Sequence, residues 1–319
     1  MTTSISSDKA FHYPGGNYFD DVRIDISRSH ESIEAYTPSR RSILRPILIN
    51  KLKFIFNCVS QRLGLFDFFV VTGLKKSWFN SFNNYWQTIL SGRPLTVLDF
   101  FLLAHDYRKK QQHTEQLSWD SPSEHIANWQ HTSELYSTFA FVRNIALRPI
   151  VGFHLWKFIK PRSRILEYGC SLAPYYHCYR EHFSHKKCIW TLADIPNFPF
   201  HYSKFLYAAD PKLSFHTISS SDFKTPIPND SEFDVIILTT VLEHLDDPSY
   251  ISKYLLDRLS IGGILVFDYV ISEGKGLDTP NALRQRSDCL NYILSRVKIL
   301  SGLVNIEDDV SLVVAKKVA

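Results

Sequence analysis

From about residue 164 onward, short apolar runs alternate with longer mixed stretches, and this alternation predicts a parallel sheet flanked by helices. Arg164 to Glu167 reads as a short strand that ends in an acid. Small residues follow at Gly169, Ser171 and Ala173, and Pro174 opens a helix, where its missing N–H would be unpaired anyway. Tyr176, Tyr179 and Phe183 recur at helical spacing and form that helix's expected buried face. Cys188 to Ala193 is a second strand, ended by Asp194. Leu213 to Ile218 is a third, followed by Ser219 to Phe223. Phe233 to Leu238 is apolar enough for burial on both faces, and runs into Thr239, Thr240 and Leu242-Glu243-His244. A helix over Tyr250 to Leu259 and a strand over Gly262 to Tyr269 come next. Residues 271–309 look like an insertion before a last strand at Val310 to Lys316.

The first part of the chain has a different texture. Residues 1–40 are polar, with Pro14-Gly15-Gly16 as a breaker, and read as a flexible arm. Residues 41–110 alternate basic and large apolar side chains, and residues 41–120 read as a helical, basic accessory region. Within it Ile47, Leu48, Leu52, Ile55, Phe56 and Val59 keep helical spacing, Phe66 to Val71 and Trp78 to Leu90 are further apolar segments, and Pro94 is expected to start a helix through Asp99 to Tyr107. Residues 108–122 read as a linker and 123–159 as helices leading into the first strand, with Ser123 as a cap. Trp129 and Tyr136 either cover a ligand or serve as core aromatics. The main domain is expected over residues 121–319.

The turn after the first strand carries chemistry. A strand, a tight turn and a helix N-terminus present bare N–H groups and a positive dipole end to a ligand. Glu167 at the strand end would repel a pyrophosphate, yet it suits the amino group of an amino-acid-bearing nucleoside. Asp194, at the tip of the second strand, is placed to grip ribose hydroxyls in a doubly wound fold. A short polar side chain among Ser219 to Phe223 could meet an adenine amino group.

Taken together, residues from about 120 to 319 resemble the class I S-adenosylmethionine-dependent methyltransferases. Glu167 to Ala173 matches the first motif, with Ser171 and Ala173 in place of two glycines. Asp194 matches the ribose acid, Asp222 the adenine-contacting position, Leu242-Glu243-His244 the segment after the fourth strand in a common branch, and Gly262-Gly263 the turn before the fifth. The resemblance implies an α/β, Rossmann-like doubly wound sheet of seven strands with an antiparallel last strand. It implies S-adenosyl-L-methionine as cofactor, with Glu167, Gly169, Ser171, Asp194, Asp222 and Thr239 around it. The sulfonium already makes the methyl electrophilic, so alignment and water exclusion are the main tasks and a base is optional. His244 is the candidate base if the acceptor is a hydroxyl; the alternative is that it packs on the sheet edge or caps a helix. Asp268 and Tyr269 could touch the acceptor, whereas Asp246 and Asp247 are expected to begin a helix. His177, His182 and His185 lack metal-ligand spacing.

Composition narrows the partners. A hydrophobic fraction of 45% and a charged fraction of 21% suit a soluble globular protein, and the aromatic fraction of 14% is high. The five cysteines form no CxxC pair, which suits free thiols in a reducing compartment. The first residues show no basic segment followed by an apolar run, and Ile43 to Thr72 is broken by charges, so a cytoplasmic protein is expected. Net charge is +4, yet residues 40–110 hold 12 Lys/Arg against 3 Asp/Glu, a local balance of +9. That bias suits an anionic acceptor or an anionic membrane surface, or is a solvated helical face. Neither Asn-Pro-Pro-Tyr nor Asp-Pro-Pro-Tyr follows the fourth strand and no Pro-Cys pair occurs, which weighs against nucleic acid. The expected function is O-methylation of a small-molecule, glycan or lipid-linked acceptor. The alternatives are RNA methylation through the basic region, or a non-catalytic methyltransferase-like module.

Overall fold

The computed structural model describes residues 77–90, 92–96, 99–100, 102–104, 118–130, 135, 138–139, 142, 153–228, 230–271, 278–307 and 310–318. The expected arm, the segments Ile47 to Val59 and Phe66 to Val71, Tyr136, and every basic residue between 40 and 110 except Arg93 lie outside these residues. The chain forms two compact units, Met1–His113 with Thr132–Pro149, and Thr114–His131 with Ile150–Ala319.

In the first unit, α1 (Ser77–Thr88) buries Phe82, Tyr85 and Trp86. Phe82 and Phe100 each approach Phe139 to 5.0 Å between ring centroids, so this unit has an aromatic core. The helix expected from Pro94 starts later. Thr96 Oγ1 accepts from the Asp99 N–H at 3.2 Å and Asp99 Oδ2 accepts from the Thr96 N–H at 2.8 Å, a reciprocal cap that fixes the start after Thr96. Arg93 clamps the same carboxylate through two nitrogens and holds its pKa down to about 2.

The second unit opens with α2 (Pro122–Gln130). Its cap is Ser121, whose Oγ accepts from the Glu124 N–H at 3.2 Å, and not Ser123, because Pro122 already occupies the first helical position. Then follow β1 (Arg164–Tyr168), α3 (Pro174–Cys178), β2 (Ile189–Asp194), α4 (Phe198–Tyr207), β3 (Leu213–Thr217), β4 (Phe233–Leu238), α5 (Pro248–Arg258), β5 (Leu259–Tyr269), α6 (Pro280–Arg296), β6 (Val297–Ser301) and β7 (Val310–Lys317). The seven strands lie in the order β3-β2-β1-β4-β5-β7-β6. β1 to β5 are parallel, and β7 runs antiparallel to both β5 and β6. The antiparallel last strand falls where the sequence placed it, and the block read as an insertion supplies α6 and β6.

Side-chain alternation divides the core between the two sheet faces. Leu166, Ile236 and Leu265 pack with Leu255, Leu290 and Ile293 on one face. Ile165, Val235 and Ile264 pack with Tyr176, Trp190 and Phe200 on the other. Burial on both faces explains the continuous apolar runs of β4 and β5. The strand order reverses between β1 and β4, and it is there, outside the C-terminal strand ends, that a doubly wound sheet opens a crevice.

Lys317 joins the last strand to α5. Its buried ammonium donates to the carbonyls of Leu256 at 2.7 Å and Leu259 at 2.8 Å, completing the helix C-terminus. Lys317→Met leaves both carbonyls without that donor and is expected to lower unfolding free energy by about 1–3 kcal/mol. A denaturant midpoint equal to that of the parent protein would contradict this.

Candidate functional site

The site grows from the turn between β1 and α3. Gly169, Ser171 and Ala173 have φ of 62°, 52° and 51°, so all three alternate positions are left-handed although only one is glycine. For an L-residue this conformation costs about 1–2 kcal/mol. Five hydrogen bonds hold it: Gly169 N–H and Cys170 N–H to Ala193 O at 2.8 and 3.2 Å, Ser171 N–H to Asp194 Oδ2 at 2.7 Å, Ala173 N–H to Cys170 O at 2.6 Å, and Ser203 O–H to Ser171 O at 2.8 Å. Gly169 differs from Ser171 and Ala173 in having no room for a side chain. A Cβ there would sit 2.3 Å from Val241 Cγ2, in the segment after β4.

Two buried acids brace this turn. Glu167 accepts from the N–H groups of Tyr175 at 3.2 Å and Tyr176 at 2.9 Å, so it faces the first turn of α3. Burial outweighs those two bonds and pushes its carboxyl up to about 8. Asp194 accepts from Ser171 and, through Oδ1, from Asn197 Nδ2 at 3.1 Å, while Asn197 Oδ1 caps α4 through the Phe200 N–H. Burial raises Asp194 to about 7, and the buried ammonium of Lys204 works against that rise. Lys204 donates to the Thr217 hydroxyl at the end of β3 and lies 4.6 Å over the Phe200 ring.

Beside Asp194 opens a cavity of about 420 Å³, bounded by Tyr168, Ile195, Ile218, Phe223 and Leu245, with His125 of α2 in its wall. Asp222 lies in the loop that lines it, accepting from the hydroxyls of Ser219 and Ser221, which hold its pKa below the usual carboxylate range. The His125 ring is fixed edge-on to Trp119 at 5.0 Å and to Phe223 at 5.4 Å, and burial lowers its pKa to about 4.

On the β4 side, Thr239 lies close to the Tyr175 hydroxyl, whose pKa burial raises and Thr239 lowers in part. Thr240 follows with φ 54°, an unusual backbone for a β-branched residue, and its N–H donates to Asp268 Oδ1 at 2.5 Å. Burial raises Asp268 to about 6. His244 ends a short 3₁₀ turn, Leu242–His244. Its ring meets Trp129 edge-on at 5.1 Å, with Nδ1 3.6 Å from Asp278 Oδ1 and Nε2 3.9 Å from Glu243 Oε1.

The structure thus joins Glu167, Gly169, Ser171 and Asp194 in one braced turn, and sets Thr239 against Tyr175 of α3. One expectation fails. Tyr269 is fully buried and its hydroxyl donates to Ala282 O at 2.6 Å, so it faces α6 and not an acceptor. Asp247 caps α5 as expected, and Asp246 accepts from Asn281. Sequence reasoning missed Ile195, which its place directly after Asp194 could have signalled, and Tyr175 and His125, for which no local signal exists.

Two outcomes follow from the braced turn. Ala173→Gly relieves left-handed strain and is expected to raise unfolding free energy by about 1 kcal/mol, whereas Gly169→Ala lowers it by more than about 1 kcal/mol. Chemical denaturation of both variants checks the opposite signs. The buried acids also set a pH dependence. Glu167 and Asp194 bind protons more tightly folded than unfolded, so their contribution to stability falls as pH rises from about 4.5 to about 8. His125 and His201, lowered to about 4 and about 3, act in the other sense only below about pH 6.5. Lys204, lowered to about 8, also acts in the other sense, above about pH 8. Melting temperature is therefore expected to fall between about pH 6.5 and 8, and Glu167→Gln to flatten that fall; an unchanged slope in the variant would contradict it.

No protein-family model matches this sequence, and no curated protein does. Among solved structures, an N-methyltransferase, NodS from Bradyrhizobium japonicum WM9 in complex with S-adenosyl-L-homocysteine, is similar over 62% of this chain and 99% of its own, at 13% identity and a TM-score of 0.41. An O-methyltransferase family protein from Burkholderia thailandensis is similar over 70% of this chain and 71% of its own, at 12% identity and a TM-score of 0.44. The fibrillarin pre-rRNA processing protein of Methanococcus jannaschii matches 50% of this chain and 67% of its own, at 16% identity and a TM-score of 0.36. These likenesses are distant. Independently of them, the sheet order β3-β2-β1-β4-β5-β7-β6 with β7 antiparallel is that of the Rossmann-like, class I methyltransferase fold.

Proposed function

We propose that this chain is an S-adenosyl-L-methionine-dependent methyltransferase that acts on a hydroxyl of a small-molecule, glycan or lipid-linked acceptor. The observation that carries the proposal is the pairing of a left-handed turn braced by Asp194 with an apolar cavity that begins at the next residue, Ile195. The residues present fit the cofactor: the cavity can take a purine, and Asp194 is an acid beside it. When bound, the cofactor supplies a methyl carbon already activated by the sulfonium.

In this proposal each side chain has a task. Asp194 binds ribose hydroxyls, and Ile195 and Phe223 flank the purine and exclude water. Asp222 orients the purine edge. Glu167 keeps the N-terminus of α3 in place and so holds Tyr175 against Thr239, which defines the floor of the methyl-transfer region. His244, with Nδ1 turned towards Asp278, takes the acceptor's proton at Nε2. Asp268, raised to about 6 by burial at the end of β5, can share that role.

One observation favours a second reading, a methyltransferase-like module that does not transfer a methyl group. Glu167 and Asp194 both already accept hydrogen bonds from their own chain, so a ligand has to compete with Ser171 for Asp194. An RNA acceptor rests on the basic composition of residues 40–110 alone.

Calorimetric titration with S-adenosylmethionine and S-adenosylhomocysteine separates these readings. Micromolar binding is expected, weakened at least about tenfold in Asp194→Ala, the loss of one charge-assisted hydrogen bond or more. Binding with no transfer to any hydroxylated acceptor supports the module. Absence of binding by folded wild-type protein overturns the cofactor assignment.

A further inference from the structure

We propose that His125, which lies on α2 outside the sheet, reads the exocyclic amino group of the purine ring bound in the apolar cavity. The inference rests on the cofactor assignment above and extends it to a residue that no motif of the sheet contains.

Four observations converge on this residue. His125 is more than nine-tenths buried and forms part of the cavity wall. Its Nδ1 is buried without a hydrogen-bond partner. A buried polar atom left so is costly, and a ligand that supplies a partner recovers that cost. The ring cannot turn freely, because Trp119 and Phe223 hold it edge-on from two sides at 5.0 and 5.4 Å. And α2 itself is tied to the far wall: Gln130 Nε2 donates to the carbonyl of Pro196, next to Ile195, at 3.2 Å.

The chemistry of the group suits an amino donor. Burial and the neighbouring His244 keep the imidazole neutral near pH 7, so one ring nitrogen carries a hydrogen and the other accepts. With Nδ1 as the acceptor, a purine 6-amino group donates to it, while Asp222, already bonded to Ser219 and Ser221, keeps one acceptor position for the group's second hydrogen. α2 then takes part in nucleoside recognition, and the sheet does not recognise the ligand unaided.

The test is a comparison of S-adenosylhomocysteine with its 6-desamino purine analogue, by calorimetry, on wild-type protein, His125→Phe and His125→Gln. Phenylalanine keeps the aromatic contacts and removes the acceptor; glutamine keeps an acceptor. Wild-type protein is expected to prefer S-adenosylhomocysteine by about tenfold, the scale of one buried hydrogen bond. That preference should collapse in His125→Phe, with affinity for the desamino analogue unchanged, and return in part in His125→Gln. A preference kept in full by His125→Phe overturns the role of His125 and leaves the cofactor assignment standing. Wild-type protein that binds neither compound fails at the earlier step, and removes both.

Discussion

The fold's functional edge depends on one turn. Between β1 and α3 the backbone enters the left-handed region at Gly169, Ser171 and Ala173, and two of these carry side chains that make the conformation unfavourable. Such a turn persists only if its surroundings impose it. Here they do: Glu167 seats the first N–H groups of α3, Asp194 holds the Ser171 N–H, and Ser203 of α4 grips the Ser171 carbonyl. β1, β2, α3 and α4 are all committed to the shape of five residues.

The same bracing accounts for the electrostatics. Two carboxylates are buried where only backbone N–H groups and one amide meet them, so both are pushed towards neutrality. Their donors come from the turn at Ser171, from the start of α3 at Tyr175 and Tyr176, and from the cap of α4 at Asn197. A ligand that offers hydroxyls to Asp194 therefore acts on the turn and on the charge of the acid at once. This coupling gives the left-handed positions a functional meaning, since a rigid loop keeps its shape for a ligand without an ordering cost on binding.

Much of this was legible from the sequence. Period and apolarity marked the strands, because a strand buried on both faces must be apolar throughout; the antiparallel direction of the last one came from the family resemblance. Pro174, Pro248 and Asp247 marked helix starts through local chemistry. Three readings slipped where a competing local signal won. Thr96 and Asp99 cap more strongly than Pro94 starts, Ser121 displaces Ser123 as the cap, and Tyr269 turns to α6 because side chains alternate along β5. The site was legible only where residues adjoin strand ends. Glu167 stood out as an acid, but its partners on α3 did not, since hydrogen bonds to backbone N–H groups leave no trace in residue type. His125 lies on a helix remote in sequence from Phe223, and only the folded chain brings them together.

The central claim is that the braced turn and the adjoining cavity form one nucleoside site. A crystal structure of the protein soaked with S-adenosylhomocysteine tests it most directly. The purine is expected between Ile195 and Phe223 with ribose hydroxyls on Asp194, and Gly169, Ser171 and Ala173 still left-handed. Ligand density elsewhere, or a cavity filled by the protein's own side chains with Asp194 unchanged under saturating ligand, would contradict it.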